Sequence, residues 1–207
     1  MAATTTSSAS NSMAPAGADG RHARSKSSRA KIIAALLELV KNGDVAPSAA
    51  KVAQAANVGL RSVFRHFDDM DSLYREMSEH IEATVMPIML RPMPALPWRD
   101  CVRELTERRI KVFETILPFR ISASINRFQS AFIMQDYRRM LRMERASLEA
   151  VLPPALVGDK AQVDVLNVPM SFQVWRILRY DQSLDVDAAR LAVLKLVDAV
   201  LAQIDIA

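Results

Sequence analysis

From residue 28 onward, apolar side chains recur every three or four positions, the period of an amphipathic helix. Ile32, Ile33, Leu36, Leu37 and Val40 form one stripe that predicts a helix over Ser28–Asn42, ended by Gly43. Two short helices follow. Ser48 is placed to cap the first by accepting a hydrogen bond from a first-turn N–H. Ala49–Ala55 is then a run of small residues and good helix formers, and small side chains at Ala53 and Ala56 allow a second helix to cross closely. Asn57 stands where the chain must turn sharply, and Asn tolerates the left-handed conformation better than most residues. Val58 is the apolar peg of that turn. In the second helix, Gly59–His66, Val63 and the following Phe67 are four apart and share a face, which the pattern buries against Val52. Arg61, Ser62 and Arg65 then fall on the outer face.

The next helix begins near Asp69 and runs through Leu73, Met77, Ile81 and Val85 to Pro87. Residues 91–97, with Pro92, Pro94 and Pro97, predict a loop. Trp98–Leu117 carries Val102, Leu105, Arg109, Val112, Phe113 and Ile116 at helical spacing, and Pro118 predicts a restart as a short helix to Arg127. Ser130–Val151 has Phe132, Ile133, Tyr137, Met140, Leu141 and Leu148 on its apolar side. Its polar side holds Arg138, Arg139, Arg142 and Arg145, read as a solvated face answered by acids, with Arg145 placed to pair with Glu149. Lys160–Tyr180 reads as one helix kinked near Pro169, and Asp185 caps a last helix, Val186–Ile206. Alternating strand-like runs are missing and there are only five glycines, so the expected fold class is all-α, with about nine helices.

Composition sharpens the organisation. At 207 residues, half of them hydrophobic, the chain has room for a small domain joined to a larger one. The paired short helices are laid out as a helix-turn-helix, which places its second helix in the major groove of DNA. The expected units are a basic tail at 1–27, this helix-turn-helix unit at 28–75 and a larger helical unit at 76–207. The tail is rich in Ala, Ser and Thr without an apolar period, a composition expected to remain disordered. The chain shows neither a signal-peptide core nor an apolar run long enough to span a membrane. Its one cysteine, Cys101, excludes an intrachain disulfide and reads as a small buried hydrophobe. A cytoplasmic protein is expected.

Charge is uneven. Residues 1–67 hold nine Lys or Arg against three acids, a balance of +6 within a chain of net +4. Basic charge is therefore concentrated around the paired short helices, as binding to phosphates requires. The cluster at 21–26, containing Arg21, Arg24 and Lys26, reads either as an arm lying near DNA or as a solvated tail.

Enzymatic chemistry finds no support. The three histidines, His22, His66 and His80, make no metal-ligand pair at helical spacing, and there is no glycine-rich phosphate loop. No catalytic residue, metal or cofactor is expected.

The segment from Arg29 to Leu73 resembles the DNA-binding domain of the TetR family of bacterial transcriptional regulators. The resemblance rests on Val52-Ala53, Ala56-Asn57-Val58-Gly59, Val63-Phe64-Arg65-His66-Phe67 and Asp69-Met70-Asp71-Ser72-Leu73. Departures are Asn57 for the usual turn glycine, Gly59 for a capping Ser or Thr, Phe64 for Tyr and Met70 for Lys. Asp68, Asp69 and Asp71 crowd one spot with charge that suits a helix N-terminus but not a phosphate backbone.

The resemblance implies a three-helix helix-turn-helix DNA-binding domain at 28–75 and a larger helical ligand-binding and dimerisation domain at 76–207. It further implies a homodimeric regulator on a palindromic double-stranded DNA operator, a repressor released by a small, mostly apolar effector. An activator, a ligand-independent regulator and a nonspecific architectural DNA binder are the alternatives. Expected DNA contacts are Arg24, Arg29, Ser48, Leu60, Arg61, Ser62, Phe64, Arg65 and His66. Arg61 and Ser62 are assigned to base edges, Leu60 to an apolar base contact, and Arg65 and His66 to phosphates. An effector cavity is expected among Met86, Trp98, Phe113, Phe119, Phe128, Phe132, Met134 and Trp175. The last two helices are expected to form a four-helix bundle with a second subunit through Trp175, Leu178, Leu191, Leu194, Val197 and Leu201.

Overall fold

The computed structural model describes residues 16–205, with side chains from Lys26 onward. Those residues form an all-α fold of ten α-helices and one π-helical turn. They are α1 (Ala16–Lys41), α2 (Ala49–Ala55), α3 (Leu60–His66), α4 (Met70–Met89), α5 (Trp98–Asn126), α6 (Ala131–Glu149), α7 (Pro154–Gly158), α8 (Lys160–Asn167), α9 (Phe172–Arg176), a π-turn (Ile177–Asp181) and α10 (Val186–Leu201).

Two apolar cores organise them. The first gathers Ile32, Leu36 and Val40 of α1, Val52 and Ala53 of α2, Val63 of α3, Phe67, and Leu73, Tyr74 and Met77 of α4. The second gathers Val102, Leu105, Phe113 and Ile116 of α5 with Leu148, Leu166, Trp175 and Val197 from later helices. Ile81, in the middle of α4, packs against both. With its 20 residues, α4 spans about 30 Å at 1.5 Å per residue. It is therefore the strut between the two cores.

Local chemistry explains the ends of these helices. The Ser48 hydroxyl accepts from Lys51 N–H at 3.3 Å, and Asp69 forms a capping box with Ser72 at the start of α4. Asn57 adopts φ 52°, the left-handed turn its sequence position called for. Arg108, buried against the 91–97 loop, donates to the carbonyl of Pro92 at 2.9 Å and holds that proline-rich segment in place.

Four boundaries differ from expectation. Helix α1 begins at Ala16 rather than Ser28, and α10 ends at Leu201 rather than Ile206. Pro118 does not restart the chain, because α5 runs unbroken through it. A proline in a helix removes one backbone bond. Ile116, Arg120 and Ile121 around it are buried, so tertiary packing holds the helix across the gap. Pro169, by contrast, separates α8 from α9 completely. Ser171 supplies a competing cap there, accepting from Val174 N–H at 3.4 Å.

The last two helices also correct the expected dimer seam. Trp175 is 1% exposed, and Val197 and Leu201 are equally buried, all three inside the chain's own core. Leu178 and Leu194 are half-buried, and Leu191 is 52% exposed. Ile177, Tyr180 and Leu196 join Leu191 as exposed apolar side chains near the C-terminal end of the fold.

Candidate functional site

Helix α3 is held by its inner face and offers its outer face. Val63 and Phe67 are 1% and 2% exposed in the first core, whereas Leu60 is 45% and Phe64 51% exposed. Arg61 and Arg65 lie open beside them, and Ser62 is half-buried. Leu60 and Phe64 are four apart, as are Arg61 and Arg65, so an apolar strip and a basic strip run side by side. Such a surface suits base edges and phosphates together. Gly59 occupies the N-cap of α3 without a side-chain hydrogen bond, so the first turn keeps N–H groups available.

Other expected DNA contacts have structural duties. Arg29 donates from Nε to Glu76 Oε1 at 2.6 Å and from Nη1 to the His66 carbonyl at 2.5 Å, and its guanidinium stacks 4.5 Å from the Phe67 ring centroid. It ties α1 to the end of α3 and to α4, instead of presenting a free cation. His66 is half-buried with its Nε2 enclosed and unpaired. Burial, then repulsion from Arg65 and Arg29, lowers its pKa below the ordinary imidazole value. The same surroundings disfavour the charged imidazolium expected at a phosphate. Ser48 is committed to its cap, Lys51 pairs with Asp44 at 2.5 Å, and the side chain of Arg24 lies outside the described residues. Of the crowded acids, Asp69 caps α4 and Asp71 accepts from Ser130 Oγ at 2.7 Å.

Above this head lies a cavity of about 540 Å³ between α4, α5, α6 and α9. Met86, Phe113, Phe119 and Phe132 line it, as expected positions for a ligand. The other four expected positions do not. Phe128 is 75% exposed, Trp98 packs at the edge of the second core under Arg99, and Met134 is half-buried elsewhere on α6. Trp175 is a core residue whose indole donates to Glu114 Oε2 at 3.1 Å.

Sequence reading missed the cavity's polar wall. Arg109, Arg120, Arg127, Tyr137 and Gln173 all face it. Arg109 gave a signal, since a charged residue interrupted an otherwise apolar stripe. It is held by neutral acceptors, Asn167 Oδ1 at 3.0 Å, the Met170 carbonyl at 3.1 Å and Ser147 Oγ at 3.0 Å, together with the Glu144 carbonyl. Burial pushes its pKa down to about 10, which leaves the guanidinium charged at neutral pH. On α6, Arg139 pairs with Glu82 and Asp136, and Arg145 pairs with Glu149 at 2.8 Å.

Among the described residues no helix is long and apolar enough to cross a membrane, and no group of three acidic, His or Cys side chains is placed to hold a metal.

No protein-family model matches the sequence, and no curated protein does either. Solved structures do match. A transcriptional regulator from Rhodococcus sp. Rha1 is 14% identical, covering 86% of this chain and 98% of its own, with a TM-score of 0.65. The multidrug binding protein EbrR, solved with imidazole, is 18% identical over 89% of this chain and 97% of its own, with a TM-score of 0.57. NalD of Pseudomonas aeruginosa, the secondary repressor of the MexAB-OprM multidrug efflux pump, is 18% identical over 86% of this chain and 96% of its own, with a TM-score of 0.56. This chain shares their fold.

Proposed function

We propose that the protein is a sequence-specific DNA-binding transcriptional regulator of the TetR type, which acts as a homodimeric repressor and is released from its operator by a small molecule. The observation that carries this reading is the outer face of α3, where Leu60, Arg61, Phe64 and Arg65 stand exposed on a helix pinned from behind by Val63 and Phe67. A helix held in this way can enter the major groove as a rigid reader.

The fold supplies a route for control. Helix α4 carries Leu73 and Met77 in the DNA-binding core, while Ile81, Val85, Met86 and Met89 further along it line the cavity. A ligand that displaces the far end of α4 changes the angle of the reading head. In a two-fold dimer that also changes the spacing of the two heads, which a palindrome fixes at about 34–36 Å or its multiples. The exposed Ile177, Tyr180 and Leu191 are the apolar side chains we assign to the dimer contact. Shared fold with solved regulators supports the reading.

Capture of sheared genomic DNA by the purified protein at near-physiological salt tests the proposal. Recovery of a few discrete fragments supports a specific regulator. Even coverage, with binding that vanishes as salt rises, supports the architectural alternative.

A further inference from the structure

We infer that the cavity is built for an organic anion, a carboxylate or similar monoanionic head on an apolar body, seated on Arg120 and Arg127. The inference rests on the proposed role of the cavity as an effector site and names the effector's chemical class.

Arg109 and Arg120 stand 11 residues apart on α5 and Arg127, its helical C-cap, follows 7 further on, so all three fall within a narrow stripe. All three line the cavity. Among the described residues that line the cavity, one carboxylate answers this stripe. Arg120 Nη1 donates to Glu144 Oε1 at 2.7 Å, whereas the other two lining acids, Glu82 and Asp136, are both engaged by Arg139. Arg176, on α9 with Phe172 and Gln173, pairs with Asp181. Positive charge is therefore in surplus at the polar end of the cavity.

The donors there are oriented and unused. Arg120, whose side chain is 7% exposed, has a buried Nη2 without an acceptor, and Arg127 has a buried Nε without one. Both guanidiniums stack on the same ring, with carbons 6.0 and 4.6 Å from the Tyr137 centroid, and Arg120 also lies 4.2 Å from the Phe172 centroid. These ring contacts hold both guanidiniums in place, and the N–H edges they leave free are the groups that grip a carboxylate. The Tyr137 hydroxyl accepts from Gln173 Nε2 at 2.9 Å and keeps its own proton to donate. Glu144 Oε2 is also buried without a donor, and its single charge leaves Arg109 and Arg127 uncompensated. Val85, Met86, Met89, Phe119 and Met140 give the cavity an apolar lining with adaptable methionines. The cavity volume of about 540 Å³ lies in the usual range for small-molecule sites.

The test uses decanoate, decanol and decyltrimethylammonium, one chain length with three head charges. Binding is measured by calorimetry on the full-length protein, and release of a duplex recovered by selection is followed in parallel. Decanoate should bind at least tenfold more tightly than either control. Arg127 has no ion-pair partner among the described residues, so Arg127→Gln should fold and should narrow the decanoate-to-decanol preference about tenfold. Arg120→Gln should do the same, although it strands the Glu144 carboxylate. Equal or tighter binding of decanol or the cation overturns the inference, as does a preference that survives Arg127→Gln, or no binding of any probe. If decanol or the cation binds as tightly as decanoate and releases DNA, the anion site falls while the effector reading stands. If decanoate binds through Arg127 without changing DNA affinity, the anion site stands and the effector reading falls.

Discussion

Ser130 Oγ donates to the Asp71 carboxylate across 2.7 Å while accepting from the Ile133 backbone N–H at 3.1 Å. One hydroxyl thus caps α6 and joins it to the first turn of α4. Around it, Arg75 stacks on Phe132 at 4.6 Å, and Ile133 sits in the same core as Val63 and Phe67. The start of α6 is consequently part of the first core, although its next turns line the cavity.

This arrangement predicts the effect of Ser130→Ala. Loss of the cap and of the bond to Asp71 should lower stability by about 1 kcal/mol in urea denaturation. Because both bonds share one hydroxyl, Ser130→Ala and Asp71→Asn should be non-additive in a double-mutant cycle. Additive losses would show that Asp71 and Ser130 are not energetically joined.

Gly59→Ser should stabilise the protein by a few tenths of a kcal/mol. Gly59 has φ −70° and ψ 146°, which any residue adopts, and a Cβ built on it meets nothing within 4 Å. The added hydroxyl reaches the N–H groups that now lack a cap. A lower thermal midpoint would mean that the start of α3 is strained in a way the backbone does not show.

Acid stability should depend on Glu114. Arg179 donates to both of its oxygens, at 3.0 Å from Nε and 2.7 Å from Nη2, and Trp175 donates at 3.1 Å. The bonds from Arg179, offset in part by burial, hold the Glu114 pKa below the ordinary value of 4.5. A depressed carboxylate pKa stabilises the fold above the unfolded value, and that contribution is lost as pH falls through the folded one. Glu114→Gln should therefore flatten the decline in stability below about pH 4.5 while lowering stability at pH 7. An unchanged acid limb would exclude this group as its source.

Much of this was legible in the chain. The 3.6-residue period located the helices, and the spacing of Val52, Asn57, Val63 and Phe67 described the paired short helices because each residue answers a local demand. Pro118 was misleading because its cost is local and the burial that overrides it is tertiary. The seam assigned to a partner at Trp175, Val197 and Leu201 is filled by the chain itself, since an apolar stripe does not say which surface covers it. Arg29 and His66 read as DNA contacts because basic residues near a reading helix look alike until their partners are visible. The arginine stripe of α5 escaped notice for the converse reason: Arg109 interrupts an apolar face, and only the fold brings Arg120, Arg127 and Tyr137 together.

The most direct test is selection from random double-stranded DNA at near-physiological salt, run in parallel for the wild type and for Arg61→Ala. The wild type should enrich an inverted repeat with half-sites about one helical turn apart, and Arg61→Ala should lose preference at one base pair in each half, a change of about 1–3 kcal/mol. No enriched repeat from the wild type, or the same repeat with the same preference from both proteins, would contradict the assignment of α3 as the reading helix.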